Sequence, residues 1–155
     1  MTANLFLTKE VILYNKKMLD SFNKWLGYEL IKRTNLDETD SKTLFESPFV
    51  VMSHGTETDP VFKYGNKKTL DLMEISWDEF IKMHSKYTAE PVLQEERQKL
   101  LDEVTRNGFI RNYNGIRISK TGKRFKVSNA IVWNVLDEHE NYCGQAATFN
   151  QWEYL

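Results

Sequence analysis

The chain has 155 residues, a formal net charge of −1, 41% hydrophobic residues and 28% charged residues. Such a length fits one domain and such a composition is ordinarily globular, which excludes a disordered or fibrous chain. The single cysteine excludes a disulfide framework and a cysteine-based zinc cluster, and the near-zero charge offers polyanions no general attraction.

The N-terminus, Met1 to Leu7, has no basic flank and no long apolar run, so no signal peptide is expected. No apolar stretch approaches the roughly 18 residues of a membrane span, and a cytoplasmic location is expected. Residues 8 to 31 read as an amphipathic helix capped by Thr8, with Val11, Met18, Phe22, Trp25 and Leu26 at helical spacing and Gly27 near its end. Residues 34 to 48 are polar and close at Pro48, which reads as a linker. Phe49 to His54 and Val61 to Tyr64 are short strands joined by the loop from Gly55 to Pro60, and their spacing predicts an antiparallel pair.

Gly65-Asn66 opens a short helical stretch carrying Leu70 and Met73, and Ser76 caps a turn through Phe80. A longer helix starts near Pro91, presents Leu93, Leu100, Leu101 and Val104 on one face, and stops at Asn107-Gly108. Residues 109 to 119 and 123 to 136 are strands joined by a hairpin turn at Ser119 to Gly122. Period-two alternation in the second puts Phe125, Val127, Asn129, Ile131, Trp133 and Val135 on one face. After a polar turn at Asp137 to Asn141, residues 144 to 152 form a last strand. The expected fold is α+β, with five antiparallel strands curling over helices on one face and a cavity between them. The expected division is an N-terminal helix and linker over 1–44 and a domain over 45–155.

Tyr64-Gly65-Asn66 followed by Leu70, Met73 and Trp77 to Phe80 resembles the strand-to-helix junction of PAS domains. Several segments are similar to the MEKHLA family: Ser53-His54-Gly55-Thr56, Gly115 to Ser119, Arg124-Phe125, Asn129-Ala130, Val132-Trp133-Asn134 and Gly144 to Phe149. The resemblance covers about residues 45–152. It implies a PAS-like five-stranded antiparallel sheet with helices on one face and an N-terminal flanking helix. Similar domains end plant class III homeodomain-leucine-zipper proteins, where a sensory role has been proposed. No homeodomain or zipper precedes the match within these residues, so the resemblance implies no DNA-binding role here.

Catalysis is not expected: His54, His84 and His139 are scattered, no metal-ligand spacing occurs, and no nucleophile motif or phosphate-binding glycine loop is present. A flavin photosensor of this type would need a cysteine beside the central helices, whereas Cys143 precedes the last strand; a haem sensor would need a histidine on 91–107. The cofactor therefore stays unassigned. The proposed occupant is a small organic ligand between the sheet and the helices at 66–90, with Asn129, Gln145, Trp133 and Trp77 as contacts. Asn129 would either hydrogen-bond that ligand or tie its strand to a helix backbone, and Gln145 has either strand face open to it. Arg117 suits an anionic group, and His54 ends a strand beside the cavity.

Between Thr105 and Leu136 there is no acidic residue, while Arg106, Arg111, Arg117, Lys120, Lys123, Arg124 and Lys126 lie there. Nucleic-acid binding is nonetheless not expected, since acidic residues within 71–103 offer these cations partners. The N-terminal helix could cover the sheet or pack on a second copy, and a homodimer is expected. The leading reading is a non-catalytic sensory module binding a small ligand and the alternative a filled-core protein-protein interaction or dimerisation module; behind them stand a small enzyme on the same fold, with His54 as its one candidate group, and a nucleic-acid binder.

Overall fold

A computed structural model of the chain describes residues 8–90 and 93–155. The expected helix start at Pro91 and the segment Met1 to Leu7 lie outside the described residues. The first helix, α1 (Lys9–Leu26), begins where Thr8 accepts a hydrogen bond from the Val11 amide at 3.3 Å. It ends before residue 31 because Gly27 turns left-handed (φ 83°) and its N–H closes on the Asn23 carbonyl at 2.8 Å. Tyr14, Met18, Leu19, Phe22 and Leu26 are buried along one side.

The expected linker is helical. Helix α2 (Asp37–Glu46) has three acidic residues in its first turn, where the helix dipole favours them. Its sequence reads as a linker because only Leu44 and Phe45 supply apolar burial. Polar bonds hold the rest: Asn15 Nδ2 donates to Ser41 Oγ at 2.7 Å, and Asp40 receives Arg33 Nε and the Thr34 amide, each at 2.9 Å.

Strands β1 (Val50–His54) and β2 (Phe62–Gly65) pair antiparallel as expected. Helix α3 (Lys67–Met73) is capped by Asn66, whose Oδ1 accepts from Thr69 N, and α4 (Trp77–Phe80) by Ser76. A 3-10 turn (Ser85–Thr88) leads to α5 (Gln94–Asn107), which stops at Gly108 (φ 94°). Strands β3 (Phe109–Ile118), β4 (Arg124–Leu136), β5 (Tyr142–Phe149) and β6 (Gln151–Tyr154) complete the chain. The sheet runs β2-β1-β5-β4-β3, entirely antiparallel. The expected last strand breaks at Asn150. Its second half, β6, pairs with the N-terminal part of β4 as a sixth strand.

One residue decides which way β4 points. Asn129 takes a left-handed conformation (φ 56°) in mid-strand, beside register irregularities in the β3–β4 ladder. An extra residue of this kind shifts side chains to the opposite face. Phe125 and Val127 therefore share a face with Ala130, Val132 and Asn134, while Trp133 and Val135 turn the other way. Trp133 packs edge-on against Phe22 of α1 and donates its indole N–H to the Met18 carbonyl at 3.1 Å. Val132 packs with Leu100 and Val104 of α5. Consecutive residues of a strand face opposite ways, so α1 covers one side of the sheet and α5 the other. Most of the apolar side of α1 is thus spent within the chain, while Leu13 stays exposed.

Candidate functional site

Between the sheet and α5 lies a cavity of about 70 Å³. Its roof is α5 with the 3-10 turn, through Leu100, Leu101, Ser85 and Thr88, rather than the helices at 66–80. Its floor is mostly aliphatic, including Val132, Ala147 and Met52. The larger polar side chains that line it come from different elements, among them His54 on β1, Gln145 on β5, Arg97 on α5 and Arg117 on β3. An outer groove of about 310 Å³ adjoins it and shares Arg97, Tyr113 and Arg117, adding Glu96 and Lys126 at the surface.

Gln145 is 2% exposed, and its amide nitrogen is satisfied within the fold. Its Nε2 reaches the Leu101 carbonyl at 3.0 Å, Thr105 Oγ1 at 2.9 Å and Asn134 Oδ1 at 3.1 Å. Asn134 does the same work from β4, donating to the Val104 carbonyl at 3.0 Å. These two amides tie the sheet to α5.

His54 is 7% exposed. Its Nδ1 lies 3.0 Å from the Gly55 carbonyl, which can only accept, so Nδ1 carries the proton and Nε2 the lone pair. That Nε2 is buried and has no hydrogen-bond partner. Burial pulls the His54 pKa below its ordinary value, and the Arg97 charge acts in the same direction, against the Gly55 bond. The ring is neutral at neutral pH.

Arg97 is 6% exposed and charged. It donates to Ser85 Oγ at 2.5 Å, and no carboxylate of the described residues forms an ion pair with it. Burial, and then the neighbouring Arg117, push its pKa down to about 10. Arg117 donates to the Tyr113 hydroxyl at 3.0 Å and to the Ile116 carbonyl at 2.8 Å, and its guanidinium lies over the Tyr113 ring. It too has no carboxylate partner among the described residues.

Of the residues expected at the site, His54, Gln145 and Arg117 converge on the cavity, and three do not. Asn129 is exposed and bonds Gln151 Oε1 at 2.8 Å, because its left-handed backbone turns it out of the core. The amide that ties β4 to a helix is Asn134 instead. Trp133 fills the opposite side of the sheet under α1, a consequence of the same bend. Trp77 packs edge-on to Tyr64 at 5.8 Å, beside a surface groove between α1 and β2. Arg97, Ser85 and Thr88 were not anticipated. Arg97 carried a readable signal: it precedes Leu100, Leu101 and Val104 by three, four and seven positions, which is the inward face of the helix.

Elsewhere the basic stretch is partly neutralised. Lys120 pairs with Glu79, Lys123 with Glu74 at 3.5 Å and Arg124 with Glu90 at 2.7 Å, all acids of the expected segment. Among the described residues no three His, Cys, Asp or Glu side chains cluster to hold a metal, and no helix is long and apolar enough to cross a membrane.

The strand order and the helices flanking the sheet define the class: this is a PAS fold. Solved structures agree. A PAS domain from Colwellia psychrerythraea is similar with a TM-score of 0.63 at 12% identity, covering 76% of this chain and 95% of that one. A Light-Oxygen-Voltage domain studied with a flavin analogue gives 0.59 at 12% identity, covering 76% and 84%. Within that class the chain belongs to the MEKHLA domain family, whose model matches residues 13–154. It is 24% identical over 154 residues to homeobox-leucine zipper protein ATHB-15 of Arabidopsis thaliana, covering 96% of this chain and 18% of that protein. It is 24% identical over 141 residues to HOX32 of Oryza sativa subsp. japonica, covering 87% and 16%. The chain thus spans under a fifth of the length of these plant relatives.

The residues do not fit a flavin. An apolar cavity that takes up benzene measures about 150 Å³, so about 70 Å³ cannot hold three fused rings. Cys143 lies off the cavity, its Sγ near the Val135 carbonyl at 3.4 Å and its thiol pKa raised by burial.

Proposed function

We propose that this chain is a non-catalytic PAS-like sensory module that holds a small organic ligand between the sheet and α5. The observation that carries the reading is Arg97, a buried charge at the cavity that forms no ion pair with a carboxylate among the described residues. An unpaired buried charge is costly, and a structure retains one where something else compensates it. The reading includes no catalytic step; among the described residues the one hydrogen bond of the His54 ring is to the Gly55 carbonyl. In this reading residues 45–155 sense and residues 1–44 carry the output. A ligand would shift α1 through its differential affinity for two packings of the sheet.

The test is to purify the protein from cells, denature it and identify released small molecules by mass spectrometry. A defined compound at near-stoichiometric amount supports the module. An empty protein that no small metabolite stabilises would favour a filled-core protein-protein interaction module, a reading to which the small cavity and the internal bonds of the Gln145 amide nitrogen lend weight.

A further inference from the structure

Resting on the ligand-binding reading above, the chemistry of the cavity narrows its occupant. Arg97 and Arg117 meet where the cavity joins the outer groove, and neither has a carboxylate partner among the described residues. Arginine grips a carboxylate bidentately, and an anion between two guanidiniums relieves both the burial and the mutual repulsion. At the groove mouth Lys126 and the exposed Glu96 offset one another, so the two arginines carry the net positive charge along the access path. The occupant is therefore an anion.

His54 adds a second requirement. Its buried Nε2 is an acceptor with no donor. A carboxylate cannot supply one, whereas a hydroxyl or an ammonium can. An ammonium would place a third positive charge beside the two arginines, and among the described residues no Asp or Glu lines the inner cavity. A hydroxyl adds no charge. Size sets the third limit: about 70 Å³ is half the cavity that takes up benzene. With its carboxylate at the groove, the ligand has room inside for roughly two to four carbon atoms, which Leu100, Leu101, Val132 and Ala147 would enclose.

We propose that the ligand is a small hydroxycarboxylate, its carboxylate held by Arg97 and Arg117 and its hydroxyl donating to His54 Nε2. Isothermal titration of the full chain with glycolate, lactate and 2-hydroxybutyrate tests this. Propionate (no hydroxyl), 1,2-propanediol (no carboxylate), alanine (an ammonium) and inorganic phosphate are the comparison probes. At least one hydroxy acid should bind, about tenfold or more tighter than propionate, the worth of a hydrogen bond to a buried partner. Propanediol and alanine should not bind. Arg97→Met and Arg117→Met should each weaken the hydroxy acid by about tenfold or more. His54→Phe should reduce the preference for the hydroxy acid over propionate to near unity while leaving propionate binding in place. Circular dichroism confirms that each variant is folded.

If no hydroxy acid binds but cells yield a neutral compound, this inference is overturned and the sensory reading stands. Phosphate binding in place of the hydroxy acids, or equal affinity for lactate and propionate, also overturns it. A protein that is empty from cells and binds none of the probes defeats both readings.

Discussion

Replacing Arg97 by methionine should make the ligand-free protein more stable. The substitution keeps the aliphatic stem and removes a charge whose pKa is pulled from the ordinary arginine range down to about 10 by burial and then by Arg117. At about 1.4 kcal/mol per pH unit, that fall penalises the charged form by about 3 kcal/mol. The variant also loses the 2.5 Å bond to Ser85 Oγ, a charged hydrogen bond worth about 1.5 kcal/mol. The balance is a gain of about 1–2 kcal/mol, in line with other buried charges replaced by apolar side chains. For a chain of this length the melting temperature should rise by roughly 3–6 °C. Differential scanning calorimetry on protein stripped of small molecules by refolding is the measurement. A fall of more than about 4 °C would refute the reasoning, because it would make Arg97 a structural clamp satisfied within the fold rather than a charge held for an anion.

Three further outcomes test the fold around the site. Asn129→Gly should change stability by less than about 0.5 kcal/mol, while Asn129→Val should cost about 1–2 kcal/mol, since a β-branched residue resists the left-handed backbone; urea midpoints separate the two. Gly144→Ala should cost about 1–3 kcal/mol by the same assay, because a Cβ there would lie 2.5 Å from the Tyr14 hydroxyl and 2.6 Å from the His54 carbonyl. His54 titrates below its ordinary 6.5 when folded, so between the folded and unfolded pKa values the unfolded chain binds the extra proton. This contribution is complete above the unfolded value and falls away as pH drops through the window, by up to about 1.4 kcal/mol per pH unit. Urea midpoints at about pH 7.5 and about pH 5.5 should diverge more for the native protein than for His54→Gln; equal divergence would show that His54 titrates normally.

Where caps and alternation govern the chain, the sequence was legible. Thr8, Asn66, Ser76 and Gly108 bound their helices where their side chains or backbone freedom predict. The pairing of β1 with β2 and the β3–β4 hairpin also follow from local signals. Two failures share a cause, which is that a local pattern was outweighed by its context. Helix α2 is held by Asn15–Ser41 and Arg33–Asp40, bonds whose partners lie outside its own segment. In β4, strict alternation carried Asn129 and Trp133 into the cavity, and a single left-handed residue moved both elsewhere. A strand parity is only as good as its most permissive residue, and an asparagine between Ser128 and Ala130 is where this strand can bend. The cavity lining was half legible: His54, Arg117 and Gln145 do line it, and Arg97 was passed over because a charge on a helix is read as solvated unless its spacing is checked.

Gln145 bonds in both directions. Its side chain holds the last turns of α5 through Leu101 and Thr105, while its carbonyl receives Ser53 Oγ at 2.7 Å, which in turn meets the Tyr14 hydroxyl of α1 at 2.6 Å. Two helices far apart in sequence, on opposite sides of a sheet, are thereby fastened through one residue. Amide hydrogens in α1 and α5 would then exchange with deuterium as one cooperative unit rather than as two fraying ends. Loosening either helix would register as lost protection in the other.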